Sequence, residues 1–357
     1  MRPKELWAWG DSSYGQLGGE SVWPNQSSPV QVGALTDWAT PSGGNWMEIV
    51  VKQDGTLWTW GSGNEGRLGH GNTTSLSSPV QVGALTDWLV VVGGQGFSAA
   101  IKTDGTLWTW GYNAYGQLGN GNTTNTSSPV QVGALTTWLT VSAGAYFLMA
   151  TKTDGTLWGV GRSNEGQLGQ SNQTDHSSLV QVGALTTWAT IGCGAVCSLA
   201  IKTDGTLWTW GQNDYGALGD GTTTHRSSPV QVGALTDWGE ITGNQNGGMS
   251  LKTDDTLWAW GQNNYGQIGQ GDTGLYKSPV QIGALTDWDT LGSGSNTNFS
   301  LKTDGTLWAW GAGASGALGL GDITNRSSPT QIGALTTWVK ISTRWANSNN
   351  FSALKLV

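Results

Sequence analysis

The sequence predicts an all-β fold: a closed seven-bladed β-propeller with four antiparallel strands in each blade. Three observations carry that expectation. Two motifs recur at a period of 50 residues, each unit reads as four short strands, and the chain starts and stops inside a unit at complementary places. Self-similarity at such a period marks a repeat architecture. The first motif, Gly-Ala-Leu-Thr-(Asp/Thr)-Trp, begins at Gly33, Gly83, Gly133, Gly183, Gly233, Gly283 and Gly333. The second, Thr-Leu-Trp-x-Trp-Gly, closes at Gly61, Gly111, Gly161, Gly211, Gly261 and Gly311, with a further copy at Leu6-Trp7-Ala8-Trp9-Gly10. Val160 replaces the second Trp in one copy.

One repeat justifies the strands in order. Trp88 to Val92 is a short β-branched run stopped by Gly93-Gly94, and Phe97 to Thr103 is a second strand. Asp104-Gly105 is a two-residue turn of the kind that favours type I′ and a tight hairpin. Thr106 to Trp110 is the third strand, with Trp108 and Trp110 on one side and Leu107 on the other. A Gly-punctuated turn, Tyr115 to Gly119, and a polar loop lead to a fourth strand at Pro129-Val130-Gln131-Val132. Apolar residues on both sides of the sheet fit blades packed face to face. Asp255 replaces the turn glycine in one copy, and Asp tolerates the left-handed region better than most residues.

The ends argue for a ring. Glu5 to Gly10 reads as a third strand and Phe351 to Val357 as a second strand without its partner. Joined, they complete a seventh blade, so residues 1–357 are expected to form one propeller, its closing blade shared between about 1–33 and 336–357. Closure removes the exposed edges that invite aggregation.

Composition agrees. The 357 residues include 57 Gly and 23 Trp, and only 11% are charged. The glycines have no three-residue period, which excludes collagen. So much indole needs burial, which argues against disorder. Net charge is −8, and an acidic surface repels phosphate backbones, so no nucleic-acid partner is expected. No apolar run approaches the roughly 18 residues that span a bilayer, so no membrane insertion is expected. Arg2 and Lys4 are followed by no apolar stretch, so no secretory signal peptide is expected either. A cytoplasmic or particle-associated location, as in a virion, fits these features.

The run Asp104 to Gly119, Asp-Gly-Thr-Leu-Trp-Thr-Trp-Gly-x-Asn-x-Tyr-Gly-Gln-Leu-Gly, resembles the regulator of chromosome condensation repeat. The resemblance covers all seven repeats and implies a seven-bladed propeller. Members of that family include a nucleotide exchange factor for a small GTPase, a plant ultraviolet receptor and a secreted β-lactamase inhibitor. Related Trp-rich repeats occur in bacterial and phage proteins. The resemblance therefore implies a fold and leaves the activity open. Departures narrow it. The family's Gly-x-x-His-Thr segment has lost its histidine in every copy, as in Gly94-Gln95-Gly96-Phe97-Ser98. The exchange factor's inserted wedge and the receptor's Gly-Trp-Arg-His-Thr cluster have no counterpart.

The repeats can be compared with one another. Their most divergent segment joins the first and second strands, and on the family's arrangement these loops ring the central channel on one face. Its candidate ligand-binding residues are Asn45, Trp46 and Met47; Gln95 and Phe97; Tyr146 and Phe147; Gln245 and Asn246; Ser295 and Asn296; and Arg344 and Trp345. Loops on a rigid scaffold are where recognition usually lives, with Trp, Tyr and Arg as anchors and Asn and Ser as adaptable contacts. Two readings compete: a face that binds a protein or glycan, or drift between duplicated repeats with aromatics plugging the channel.

Signals for chemistry are sparse. His70, His176 and His225 fall in outer loops without metal-ligand spacing, so no metal is expected. Cys193 and Cys197 read as buried thiols, a disulfide between them being the alternative. The Asp-Gly pairs are turns, and the six lysines from Lys52 to Lys302 read as strand-end caps. No catalytic motif or cofactor site is recognisable. The sequence thus favours a non-enzymatic recognition or structural module, and the resemblance to Trp-rich bacterial and phage proteins implies a virion or surface adhesin within a larger assembly. An inhibitor or intracellular interaction scaffold is the alternative, and an enzyme has no supporting residues. Twenty of the 23 tryptophans belong to the two motifs; Trp23, Trp46 and Trp345 do not.

Overall fold

Seven antiparallel sheets, each built on four strands, form the ring in a computed structural model that describes residues 2–19, 24–344 and 349–357. Blade 2 is typical. Its strands are Trp88–Gly93, Phe97–Lys102, Leu107–Gly111 and Thr126–Gln131, paired in that order from the centre outwards. Blades 1 and 3 to 6 repeat the order at intervals of 50 residues. Blade 7 is shared: Trp338–Ile341 and Asn350–Leu356 supply the inner strands, Lys4–Gly10 and Gln26–Gln31 the outer ones. The closing pair is in register from Lys4 opposite Leu356 to Gly10 opposite Asn350. Thr343 and Arg344 add a short parallel bridge to Ser42 and Gly43 of blade 1. The expected architecture and closure are therefore present.

Two local expectations need correction. The Asp-Gly hairpin has three loop residues, not two. Gly105 N–H donates to the Lys102 carbonyl (2.9 Å) and Lys102 N–H to the Thr106 carbonyl (3.0 Å). Only Gly105 has positive φ (+76°), which is a type I turn closed by a glycine bulge. Asp255 takes the same left-handed conformation in blade 5 (φ 59°). The Asp side chain explains the motif: Asp104 Oδ1 accepts from the Thr106 N–H (2.9 Å) and hydroxyl (2.6 Å). The Thr106 hydroxyl in turn accepts the Trp108 indole N–H (2.8 Å). The fourth strand also begins earlier, at Thr126. Its ladder to the third strand is irregular between Thr126 and Val130, around Pro129. Proline has no N–H to donate, and the outermost strand is where a sheet tolerates that.

The core lies between blades. Trp88 meets Trp108 and Trp110 edge-on at 5.9 and 6.2 Å. Trp88 and Trp110 then pack on Ile49, Leu57, Leu68 and Val82 of blade 1. The second motif Trp also reaches across chemically. Trp110 Nε1 donates to the Arg67 carbonyl (2.9 Å), and Trp210 and Trp310 donate to those of Gln167 and Gln267. The residue opposite that Trp is small in blades 2, 4 and 5: Ser98, Ser198 and Gly248. In blade 3, Val160 leaves room that Leu148, its cross-strand partner, fills.

The lysines are not merely strand-end caps. Lys102 Nζ lies 4.8 Å from the Trp88 ring and 4.3 Å from the Trp108 ring, and 3.4 Å from Asp87. Such cation–π contacts contribute about 0.5–2 kcal/mol. Where Thr137 and Thr187 replace the Asp, the ammonium sits closer to the indole, at 3.8 Å for Lys152 and 3.6 Å for Lys202. Cys193 and Cys197 are free buried thiols, each pushed up to about 12 by burial.

Candidate functional site

The first-to-second-strand loops surround the mouth of an axial channel. The innermost strands line it with Val92, Val141, Ile191 and Ile241 among small polar residues, enclosing about 160 Å³. A chain of backbone hydrogen bonds ties successive loops together. Asn45 N–H donates to Gly94 O (3.3 Å), Gln95 to Ala145 (3.0 Å), Ala145 to Ala195 (2.9 Å), Ala195 to Asn244 (3.3 Å) and Gln245 to Ser295 (3.1 Å). The loops are therefore fixed before any ligand arrives, which lowers the ordering cost of binding.

The expected site residues divide by burial. Trp46, Gln95, Tyr146, Gln245, Asn246 and Asn296 are half-buried on this face. Met47, Phe97 and Phe147 are not on it. Each is fully buried between blades, Met47 against Ile49, Phe97 against Ala99, and Phe147 against Met149. They open the second strand, and alternation puts them on the side of their core neighbours two residues on. Asn45 and Ser295 are also buried, holding loops together: the Asn45 carbonyl accepts from Arg67 (3.2 Å), and the Ser295 hydroxyl donates to Gln245 (2.7 Å). Arg344 enters through its backbone bridge to Gly43. Trp345 and Trp23 lie outside the described residues.

The face has two unlike halves. Over blades 2 and 3, Tyr146 lies 5.7 Å from Tyr112 and 5.0 Å from Tyr115, ring to ring. The Arg162 guanidinium sits 5.1 Å from the Tyr115 ring and 5.9 Å from the Tyr146 ring. Burial first, and the neighbouring phenols second, push the Tyr146 hydroxyl above the usual tyrosine range. It stays a neutral hydrogen-bond donor at physiological pH. Beyond this cluster, Trp46 packs on Tyr14 at 5.0 Å from a left-handed backbone (φ 58°). For a bulky side chain that conformation costs on the order of 1–3 kcal/mol and collects at functional positions.

Across the channel the face is amide-rich. Asn246 donates to Gln262 Oε1 (2.7 Å), Asn296 to Gln245 Oε1 (3.2 Å) and Gln267 to Asn296 Oδ1 (3.1 Å). These groups satisfy one another, so a ligand must displace internal hydrogen bonds to reach them.

A model of the RCC1-like domain matches residues 5–349. The chain belongs to this family. The RCC1-like ring seen here is similar to that of human WBSCR16, at 20% identity and a TM-score of 0.89 over 99% of both chains. It is also similar to yeast RCC1 (Prp20) in its complex with Kap60, at 17% identity and a TM-score of 0.88 over 100% of this chain and 89% of the other. A further structure of Prp20p from Saccharomyces cerevisiae, described together with its binding to Gsp1p and histones, gives 16% identity and a TM-score of 0.87, covering 100% and 92%. At these identities the likeness establishes the shared fold.

Within the RCC1-like frame, four face residues went unread in the sequence: Tyr112, Tyr115, Arg162 and Tyr14. They follow the third strand, whose end lies on the same face as the first-to-second-strand loops. The position after the closing glycine of the second motif holds Asp11, Ser62, Tyr112, Arg162, Gln212, Gln262 and Ala312. That divergence was the available signal. Among the described residues no group of three or more His, Cys, Asp or Glu could hold a metal ion. His225 instead pairs with Glu165 (2.9 Å) and Asp214 (2.8 Å) across blades 3 and 4. Among the described residues no helix is long and apolar enough to cross a membrane.

Proposed function

We propose that this chain is a non-enzymatic recognition module that binds a protein partner through the aromatic half of its variable-loop face. The Tyr112–Tyr115–Tyr146–Arg162 cluster is the observation that carries this reading. Tyrosine gives large contact area at low ordering cost, and tyrosine and arginine anchors dominate binding energy. The loop-to-loop hydrogen bonds present them on a rigid ring. Prp20, whose fold this chain shares, is described with Kap60, Gsp1p and histones as the proteins it binds, which supports a protein as the class of partner. In a virion or surface adhesin the partner is a receptor protein. In an inhibitor or scaffold it is a protein surface that the ring caps.

The test is capture of partners from the native source by the intact chain, followed by titration of the purified partner. Tyr146→Ala combined with Arg162→Ala is expected to weaken binding at least about 30-fold, the range of a hot spot. Unchanged affinity in a folded double variant sinks the proposal.

A further inference from the structure

The opposite face shows the reverse relation between exposure and variation. There the Gly-Ala-Leu-Thr segment joins the fourth strand of each blade to the first strand of the next. All four residues are exposed in all seven copies, and the leucines, from Leu35 to Leu335, are 43–48% exposed. Yet the segment is identical seven times. Backbone demands explain part of this. Gly83 is left-handed (φ +61°), and the Thr86 carbonyl lies where a Cβ on Gly55 would stand. They do not explain Ala84 and Leu85, whose side chains face solvent. Shared recent origin does not explain it either, because the loops on the other face have diverged over the same duplications.

Beside these leucines lie inter-blade pockets. Four of them, of about 250, 280, 370 and 490 Å³, repeat one wall. In the largest it is Leu185, the half-exposed Trp208, and Ser228-Pro229, with Trp188 behind. One lining position differs from pocket to pocket: His70, Gln170, Asp220 and Leu320.

We infer that these pockets are a ring of equivalent sites for neutral pyranose units of a glycan, separate from the variable-loop face. A flat indole beside a leucine and a proline accepts the C–H face of a sugar ring. The Ser228 hydroxyl and the variable side chain reach its hydroxyl edge. No constant wall residue carries a charge; the constant lysine, Lys202 here, meets the Trp208 ring at 3.6 Å but lies outside the pocket lining. Repetition decides between sugar and protein as occupant. A single protein epitope cannot present the same feature to every blade, whereas a polysaccharide or a glycan-covered surface does. Linked sites of this kind gain about 10²–10⁴ in avidity over one site.

The experiment titrates the full chain, by indole fluorescence and calorimetry, with methyl glycosides of glucose, galactose, mannose and N-acetylglucosamine. Dextran, galactan, mannan and chitin oligomers follow. One sugar is expected to bind at more than one site per chain, and its polymer about 10²–10⁴ tighter. Serine at all seven of Leu35, Leu85, Leu135, Leu185, Leu235, Leu285 and Leu335 is expected to weaken polymer binding more than about tenfold. Tyr146→Ala leaves it unchanged, which separates this proposal from partner binding on the other face. Should the seven-site variant not fold, alanine at Ser28, Ser128, Ser228 and Ser278 carries the same test. Binding of no sugar, of one sugar per chain, or undiminished by these variants overturns the proposal. So does preference for proline-rich peptides over every sugar.

Discussion

The two faces of the propeller obey opposite rules. On one, the sequences that join first and second strands differ in every blade, while the loop backbones of blades 1 to 6 are locked together by hydrogen bonds. On the other, Ala-Leu of the Gly-Ala-Leu-Thr segment projects into solvent and never varies. Packing demands explain neither the half-buried loop residues, such as Trp46, Tyr146 and Asn246, nor the exposed Ala-Leu pairs, since both lie largely outside the inter-blade core. The first face has the character of a surface shaped for one asymmetric partner. The second has that of a surface repeated for a repetitive one.

The largest expected effect breaks the comparison if it fails. Tyr146→Ala with Arg162→Ala removes about 2–4 kcal/mol of partner binding, and serine at the seven exposed leucines leaves that binding intact. Equal losses from both variants would merge the two faces into one site.

Next comes the support beneath the variable face. Blade 3, which presents Tyr146 and Arg162, also has the altered core pair Leu148 and Val160. Val160→Trp alone is expected to destabilise by about 1–3 kcal/mol through overpacking against Leu148. Adding Leu148→Ser should recover most of that loss, because the pair then matches Ser98 opposite Trp110. Denaturant titration of the four proteins measures the coupling. Additive losses would mean that the two positions do not share one space.

The smallest effect concerns pH. Glu240, in the first strand of blade 5, is pushed up to about 7 by burial, although its Oε1 accepts the Leu291 N–H of blade 6 (3.3 Å). Its folded value exceeds the ordinary 4.5. The folded state therefore holds that proton more firmly, and the contribution is full below about 4.5 and lost as pH rises through about 7. Glu240→Gln is expected to stabilise the ring by roughly 1 kcal/mol at pH 8 and to leave it unchanged at pH 4. A variant less stable than the parent at pH 8 contradicts this.

Much of this was legible in the sequence, and for physical reasons. A period of 50 with two fixed aromatic motifs forces the same strands to recur, and the split blade follows from where the copies are cut. The site was only partly legible. Met47, Phe97 and Phe147 sit in variable segments, but strand alternation places them in the core. Tyr112 and Arg162 each follow the invariant closing glycine of the second motif, Gly111 and Gly161, and lie outside the segment that varies most between blades. The exposed leucines share one motif with the buried tryptophan that closes it, and identity among repeats does not by itself separate exposed from buried positions. The lysine between two indoles depends on three strands meeting, which no single motif displays.

The most direct measurement is the affinity of a purified partner for three folded forms: the parent chain, the Tyr146→Ala/Arg162→Ala variant, and a Gln245→Ala/Asn296→Ala variant of the amide half. The aromatic variant should lose at least about 30-fold and the amide variant less than about threefold, because its groups are already satisfied within the ring. An amide variant that loses as much as the aromatic one, or an aromatic variant that loses nothing, would contradict the assignment of recognition to the tyrosine–arginine cluster.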